Sequence, residues 1–504
     1  MYVNLRVLSF AIFTCVGIYS HSNNLSISNV TTTNKDETNN LVSIEFDTSW
    51  ENSFRDAINY DAVWIFIKYR VPLSSGGDNT WRHVILNGTG HVIPSGFELS
   101  LASDLVGGFL QRDAVGSGDV DLSPVSLRWD YGAQDESLGN AIDDDVVEVS
   151  VFGIEMVYIP ESSFFVGSGT TSDVGSFTNG SWVSGNPIPL SITSEGDLVV
   201  SQSSGNLFAV NSTFPIWEIC SGCTLADNSS DTGFPKGFHD FYTMKYETTQ
   251  GQYADFLNFI TSTQATNRFQ GMNGSSRYTI SGTHPNFSSS TPHRPVNFLS
   301  WMDAMAFADW ACLRPMTELE FEKMSRGDQT PVSGENATGT SLYNSADSRD
   351  LVSDGTIAES TSGNVLLGDS IDGPLRSGWP GFISLVTPGA GTREDAGASY
   401  YGVMDLSGNL WEMCVSIHDD ATGFTGSHGN GALNTLGFAD NVDWPGYVVS
   451  GVTGAGGAGR RGGGFNSLSG ADIRISNRAN ASIGSFSGLN RDKRNGFRGV
   501  RTAQ

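Results

Sequence analysis

Hydrophobic and polar positions alternate through much of the first third of the chain. Val42, Ile44 and Phe46 are separated by polar neighbours, the period-two pattern of a strand with one buried face. Residues 62–69 form a denser run of β-formers, and residues 81–86, 125–129 and 146–152 give further strands. Gly, Pro and Asp/Asn clusters divide them. Short strands with turn signals and no helical period predict an antiparallel, all-β sandwich-like domain over residues 41–150. Residues 23–40 are rich in Asn, Thr and Ser without an apolar period and read as a flexible leader.

The pattern changes after Ile154. Residues 168–235 carry short strands between Gly/Ser turns and read as an insertion. Three helices follow. The first begins at Thr248 or Thr249 and places Tyr253, Phe256, Leu257 and Ile260 on one face. The second opens with a capping box from Ser300 to Asp303, turns Ala304, Phe307, Ala308 and Ala311 inward, and stops before Pro315. The third opens with a capping box from Thr317 to Glu320 and ends at Arg326 and Gly327. Residues 328–504 are nearly all Gly, Ser, Asn and Asp loops with short apolar strands. Loops of that kind need fixed side-chain networks or bound ions to stay ordered.

Charge narrows the choice of partner. Acidic residues number 54 and basic ones 28 in 504 residues, a formal net charge of −26. Nucleic acid is excluded as a partner, since phosphate contacts need clustered Lys and Arg. An anionic membrane surface is disfavoured for the same reason. Aromatic residues at 11% argue against a disordered chain. Residues 1–22 read as a signal peptide: Arg6, a short apolar run over 7–19 that includes Cys15, then Ser20-His21-Ser22 as a cleavage site. No later stretch reaches the roughly 20 apolar residues of a transmembrane helix. The expected location is therefore secreted or cell surface.

The remaining thiols are sparse. Cys220 and Cys223 form a lone C-x-x-C, read as a small local disulfide or two free thiols, while Cys312 and Cys414 lie in apolar segments and read as core thiols. Asp143, Asp144 and Asp145 read as a solvated turn rather than a calcium site. Asn87 and Asn211 lie in glycosylation acceptor patterns.

Seven ordered blocks carry a resemblance. They are Glu155-Met-Val-Tyr-Ile-Pro160; Met244-Lys-Tyr-Glu-Thr-Thr249 with residues 253–258; residues 295–301; Leu313-Arg-Pro-Met-Thr-Glu-Leu-Glu-Phe-Glu-Lys323; Tyr401-Gly-Val-Met-Asp-Leu-Ser-Gly-Asn-Leu-Trp-Glu412; Arg461-Gly-Gly463; and Asn495-Gly-Phe-Arg498. Residues 151–504 thereby resemble the sulfatase-modifying-factor family, whose best-known member is the formylglycine-generating enzyme. The resemblance implies an α+β variant of the C-type lectin fold.

It also implies where the chemistry would sit. In the formylglycine-generating enzyme two cysteine thiolates after the Arg-Gly-Gly block bind copper, which needs soft ligands. Here those positions fall on Ser467 and Asp472, the block continues into Gly464, and Met413 replaces the second Trp of the family's Trp-Glu-Trp. Formylglycine formation and copper are therefore not expected. A second branch of the family uses an H-x-x-x-H-x-E iron helix, and no such spacing occurs. His418, Asp419, Asp420 and His428 form the nearest cluster and read as solvated loop. Calcium is expected: the resemblance places it at the Ser407, Gly408 and Leu410 carbonyls and the Glu412 carboxylate. A second calcium loop would involve Asn344, with later partners near Glu359.

Three functions compete. In the first the protein is a non-catalytic binding module for an extracellular glycan, peptide or protein. Its ligand face would include Phe465, Asn466, Ser467, Asp472, Asn477 and Asn490, with Phe486 and Arg491 in the same segment. That segment is also similar to the variable tail of binding proteins encoded by diversity-generating retroelements. The alternative is an enzyme: a metal-dependent oxidoreductase with a non-cysteine site, or a hydrolase using Asp472, Arg474 and Arg478. The third is a structural surface or matrix protein. Loop residues on a rigid scaffold favour the first.

Overall fold

The computed structural model describes residues 24–134, 147–210, 219–220, 222–368, 370–380, 394–481 and 488–503. The expected signal peptide, the 143–145 acidic trio, Asn211 and Phe486 lie outside the described residues.

The dense run near residue 62 becomes the strand Asp61–Arg70, in which every residue but the last is buried. Its Val63, Ile65, Ile67 and Tyr69 enter one apolar cluster, while Ala62, Trp64 and Phe66 enter another. A strand buried on both faces has no reason to alternate, which is why its sequence does not. The strand Glu148–Ile159 lies antiparallel beside it, with the register running from Asp61 opposite Val157 to Arg70 opposite Glu148.

Glu148–Ile159 joins the two halves of the chain. On its other side it pairs with Phe241–Met244, which pairs with Gly499–Thr502, which pairs with Arg314–Pro315. Gly107–Arg112 and Phe97–Leu101 complete the far side of an eight-stranded sheet. The boundary expected between residues 150 and 151 thus falls inside one strand. A three-stranded sheet of Ser26–Asp36, Leu41–Arg55 and Gly116–Asp130 covers one face. Helices cover the other, burying Trp64, Phe66 and Phe152 against Trp310 and Phe256.

The leader expected over 23–40 is largely a strand. Leu25, Ile27 and Val30 are buried beneath it, and a register shift between Ser28 and Thr31 breaks their spacing. Asn29 sits at that bulge with φ 53°, and Asn24, Asn34 and Asn40 also take positive φ. Asn tolerates this left-handed backbone better than other L-residues, so the Asn-rich composition reflects bulges and turns, not flexibility.

Four helices are present among the described residues: α1 (Gln250–Asn258), α2 (Ser262–Arg268), α3 (Trp301–Trp310) and α4 (Glu318–Arg326). Each opens with a complete capping box. The inward faces expected for α1 and α3 are buried, and α4 starts and stops where its signals place it. The helix α2 was not expected, because STQATNR carries no apolar stripe. Its one signal is the Thr261 to Gln264 capping box, the same spacing that marks the other three. Cys220 and Cys223 form a disulfide, and Cys312 and Cys414 are buried free thiols.

At the end of α3, buried Asp309 fastens the loop around residues 429–440. Its Oδ1 accepts from the Asn430 and Gly431 amides at 2.9 and 3.1 Å, and Oδ2 from the Asp440 amide at 3.3 Å. Burial, then the Asp440 charge, push its carboxyl from 3.8 up to about 7. A raised acid is easier to ionise in the unfolded chain. Its stabilising share is therefore full below the unfolded value and is lost as pH rises through the folded one. Urea denaturation should show this loss, at most about 4 kcal/mol, between roughly pH 4 and pH 7. Asp309→Asn should flatten that part of the profile, and an unchanged slope would remove Asp309 from the account.

Candidate functional site

The strand Ala458–Arg461 runs antiparallel to Trp411–Val415, setting Glu412 opposite Arg461. The chain then turns sharply. Gly462 and Gly463 have φ of 88° and 77°, and a Cβ on either would sit 2.6 Å from the Leu406 carbonyl oxygen or 2.8 Å from Ile473. A Cβ at Gly464 would lie 2.9 Å from the Trp411 ring.

Beyond the turn, Ser467 and Asp472 come together. The Gly464 amide donates to Ser467 Oγ at 3.1 Å, and the Ser467 side chain lies near enough to the Asp472 carboxylate to favour its charged form. Burial raises the Asp472 carboxyl above its ordinary value, while Ser467 and the Arg460 charge pull it back. Arg460 donates to Asn495 Oδ1 at 2.8 Å and to Asn480 Oδ1 at 3.1 Å, with its guanidinium 4.8 Å from the Trp411 ring centroid. Burial is the main reason that Arg460 is lowered to about 10. The set is a hydroxyl, a carboxylate and a guanidinium, with oxygen where the resemblance has sulfur. Copper(I) does not fit these hard donors.

Three of the expected ligand residues, Phe465, Ser467 and Asn477, belong to the interior. Phe465 is fully buried among Leu366, Leu375, Trp379 and Leu410, with Lys493 Nζ 5.4 Å from its ring centroid. Asn477 is buried and closes its own turn, donating to the Ala471 carbonyl at 2.7 Å and accepting from the Ala479 amide at 2.9 Å. Asn466 is half-buried, and Asn490 is exposed beside Leu489. Arg478 pairs with Glu318 at 2.7 Å and Arg474 with Asp173 at 2.9 Å. Both arginines tie distant loops together, leaving the hydrolase reading without its cations.

The residues do not fit a calcium site built on Glu412. Both oxygens of this fully buried carboxylate are taken by Arg498, Nη2 to Oε1 at 2.6 Å and Nε to Oε2 at 2.9 Å. A guanidinium at that distance holds the place a cation would need. Ser407 Oγ donates to the Ile473 carbonyl at 2.8 Å and accepts from the Ala337 amide at 2.9 Å. The Gly408 amide donates to the Gly462 carbonyl at 2.8 Å, and the Leu410 amide to Glu247 Oε1 at 2.9 Å. Asn344 is exposed and exchanges hydrogen bonds with Asn364, and Glu359 is held by Arg294. The turn is thus fastened by ion pairs and amides, through residues the sequence reading passed over. Glu247 accepts from Asn409 Nδ2 at 2.7 Å, and burial with Asp405 and Glu412 nearby raises its carboxyl well above the ordinary range. Asp405, likewise raised by burial to about 6, accepts from the Gly378 amide at 2.6 Å. Glu247 lies inside a block quoted for the resemblance, which was the signal available.

His418 and His428 serve the backbone. His418 Nδ1 accepts from the Asp420 amide at 3.2 Å, and His428 Nε2 from the Thr502 amide at 3.0 Å.

An open face lies beside Ser467. A cavity of about 230 Å³ is lined by Ser341, Tyr343, Ser469, Gly470, Ala471 and Arg474. Two large apolar side chains flank it in sequence, Leu342 at 73% and Leu468 at 87% exposure.

A model of the sulfatase-modifying factor enzyme 1-like domain matches residues 234–503, more than half of the chain, and the chain belongs to that family. The Glu155-to-Pro160 block lies before the matched span, although its strand pairs within the same sheet. No curated protein matches the chain. No helix among the described residues is long and apolar enough to cross a membrane.

Proposed function

We propose that the protein is a secreted or surface-attached, non-catalytic binding member of the sulfatase-modifying-factor family. Its ligand is an extracellular glycan, peptide or protein. The observation that carries this reading is the coincidence of two features on neighbouring loops. Ser467 and Asp472 stand near each other where the family's thiolates would be. Beside them Leu342 and Leu468 are exposed without a structural duty. Large apolar side chains left in water next to adaptable polar groups mark recognition surfaces. The binding residues are accordingly Asn466, Leu468, Asp472 and Asn490, with Tyr343 on the facing loop and Ser467 buried behind them.

The test is capture on glycan, peptide and protein arrays by the wild type and by Leu468→Asp and Asn490→Arg. Both positions are exposed, so stability should stay within about 0.5 kcal/mol. Each variant should lose at least about tenfold in affinity for whatever the wild type captures, equivalent to about 1.4 kcal/mol. Captured ligands that bind both variants as tightly as the wild type would place recognition elsewhere.

A further inference from the structure

A larger cavity lies between the N-terminal strands and the helical layer. It measures about 740 Å³, well within the size of small-molecule sites. Trp81, Ile85, Phe259 and Leu433 give it apolar walls, and His83 and Trp310 line it further. Trp81 and Phe259 face each other at 4.6 Å between centroids, and the Arg70 guanidinium lies 4.6 Å from the Trp81 ring. Several lining residues precede the span matched by the family, so the cavity is not a feature of that domain alone.

Behind His83 is a buried cation. Lys68 leaves the strand Asp61–Arg70 on the face of Trp64 and Phe66, and its Nζ lies 2.7 Å from His83 Nε2 and 5.0 Å from the Trp310 ring centroid. Other buried cations of this protein meet a carboxylate or a carbonyl oxygen, as Lys236 meets the Glu195 carbonyl at 3.1 Å and Lys323 the Phe238 carbonyl at 3.0 Å. Lys245 has Asp61 at 3.0 Å and Glu155 at 3.4 Å, Arg314 has Glu320 at 2.7 Å, and Arg501 has Asp104 at 2.6 Å. Among the described residues no carboxylate lies within ion-pair distance of Lys68. At the rim, Arg70 is matched by Glu148 and Arg82 by Asp78, both at 2.5 Å, so neither offsets nor duplicates that charge.

We infer that this cavity binds a small carboxylic acid with a ring-sized apolar body, its acid group seated over His83 in the field of Lys68. A buried ammonium without a counter-charge is costly, and a ligand carboxylate supplies what the chain withholds. One shielded ammonium matches one negative charge and would leave a phosphate dianion under-compensated. The apolar wall of Trp81, Ile85, Phe259 and Leu433 would hold the body. Gly431, at φ 80°, lets the loop backbone press against the His83 ring, where any Cβ would collide, and so holds the imidazole on the floor. Burial brings the Lys68 ammonium down to about 7, and the bound acid would restore it.

The experiment is calorimetric titration of the full chain with indole-3-acetate and with its neutral amide. The acid should bind at least about tenfold more tightly than the amide. Lys68→Met should abolish that preference. Ala432→Trp, at an exposed position on the rim, should remove binding of both without changing the fold. Equal affinity for acid and amide overturns the inference. So does a preference that survives Lys68→Met, or binding that survives Ala432→Trp. Absence of binding by the acid at about 10 mM, weaker than a millimolar site allows, overturns it as well. Should Lys68→Met fail to fold, the acid–amide comparison and the rim variant still decide.

Discussion

Replacing Arg498 by Met should destabilise the protein by about 3–5 kcal/mol, the usual cost of removing one partner from a buried ion pair. Arg498 is fully buried and uses its donors on Glu412, on the Met244 carbonyl at 2.6 Å and on the Met404 carbonyl at 2.7 Å. Glu247 and Asp405 stand nearby, both already raised by burial. Without the guanidinium, three carboxylates share a dry site with one fewer positive charge. Because the pair occupies the turn, chelators should leave the wild-type melting temperature where it is. Urea denaturation and a melt with and without EDTA check both statements. A loss under about 1 kcal/mol, or a wild-type melt that falls with EDTA, would return calcium to the Glu412 turn.

The second large effect concerns metal at Ser467 and Asp472. The wild type should convert no Cys-containing sulfatase peptide, with or without added copper, since it offers a hydroxyl and a carboxylate. The pair is a fair place to graft thiolates, because the two side chains already lie near each other. The double variant Ser467→Cys, Asp472→Cys should therefore bind one copper(I) per chain where the wild type binds none, read by elemental analysis after gel filtration. Formylglycine product from the wild type in mass spectra would contradict the first statement. A double variant that folds and stays free of copper would contradict the second.

The residues themselves explain what the sequence revealed. Capping boxes are local, so Thr249, Ser300 and Thr317 could be read as helix starts, and Thr261 could have been. The Arg-Gly-Gly turn was legible because backbone approach to Leu406 and Ile473 demands glycine. Side-chain direction in a loop has no comparable signature. Phe465 looked like a recognition aromatic and is core, and Asn477 looked like a contact and is a turn brace. The Glu412–Arg498 pair spans 86 residues, and Lys68 meets His83 only because a strand and its neighbour align. No spacing rule connects such partners. The expected break at residues 150 and 151 falls within Glu148–Ile159, a strand buried almost throughout, whose Ser150, Gly153 and Glu155 gave the sequence a change of character without a turn.

That strand also decides how the protein can be divided. Phe241–Met244 takes hydrogen bonds from Glu148–Ile159 on one side and Gly499–Thr502 on the other. A fragment limited to the matched residues 234–503 would lose the first of these neighbours. It would present a raw row of amides and carbonyls on Phe241–Met244, which invites pairing with another copy. The N-terminal strands therefore act as an internal edge guard. A lineage that shed them would have to cover that edge with another strand or with a partner chain.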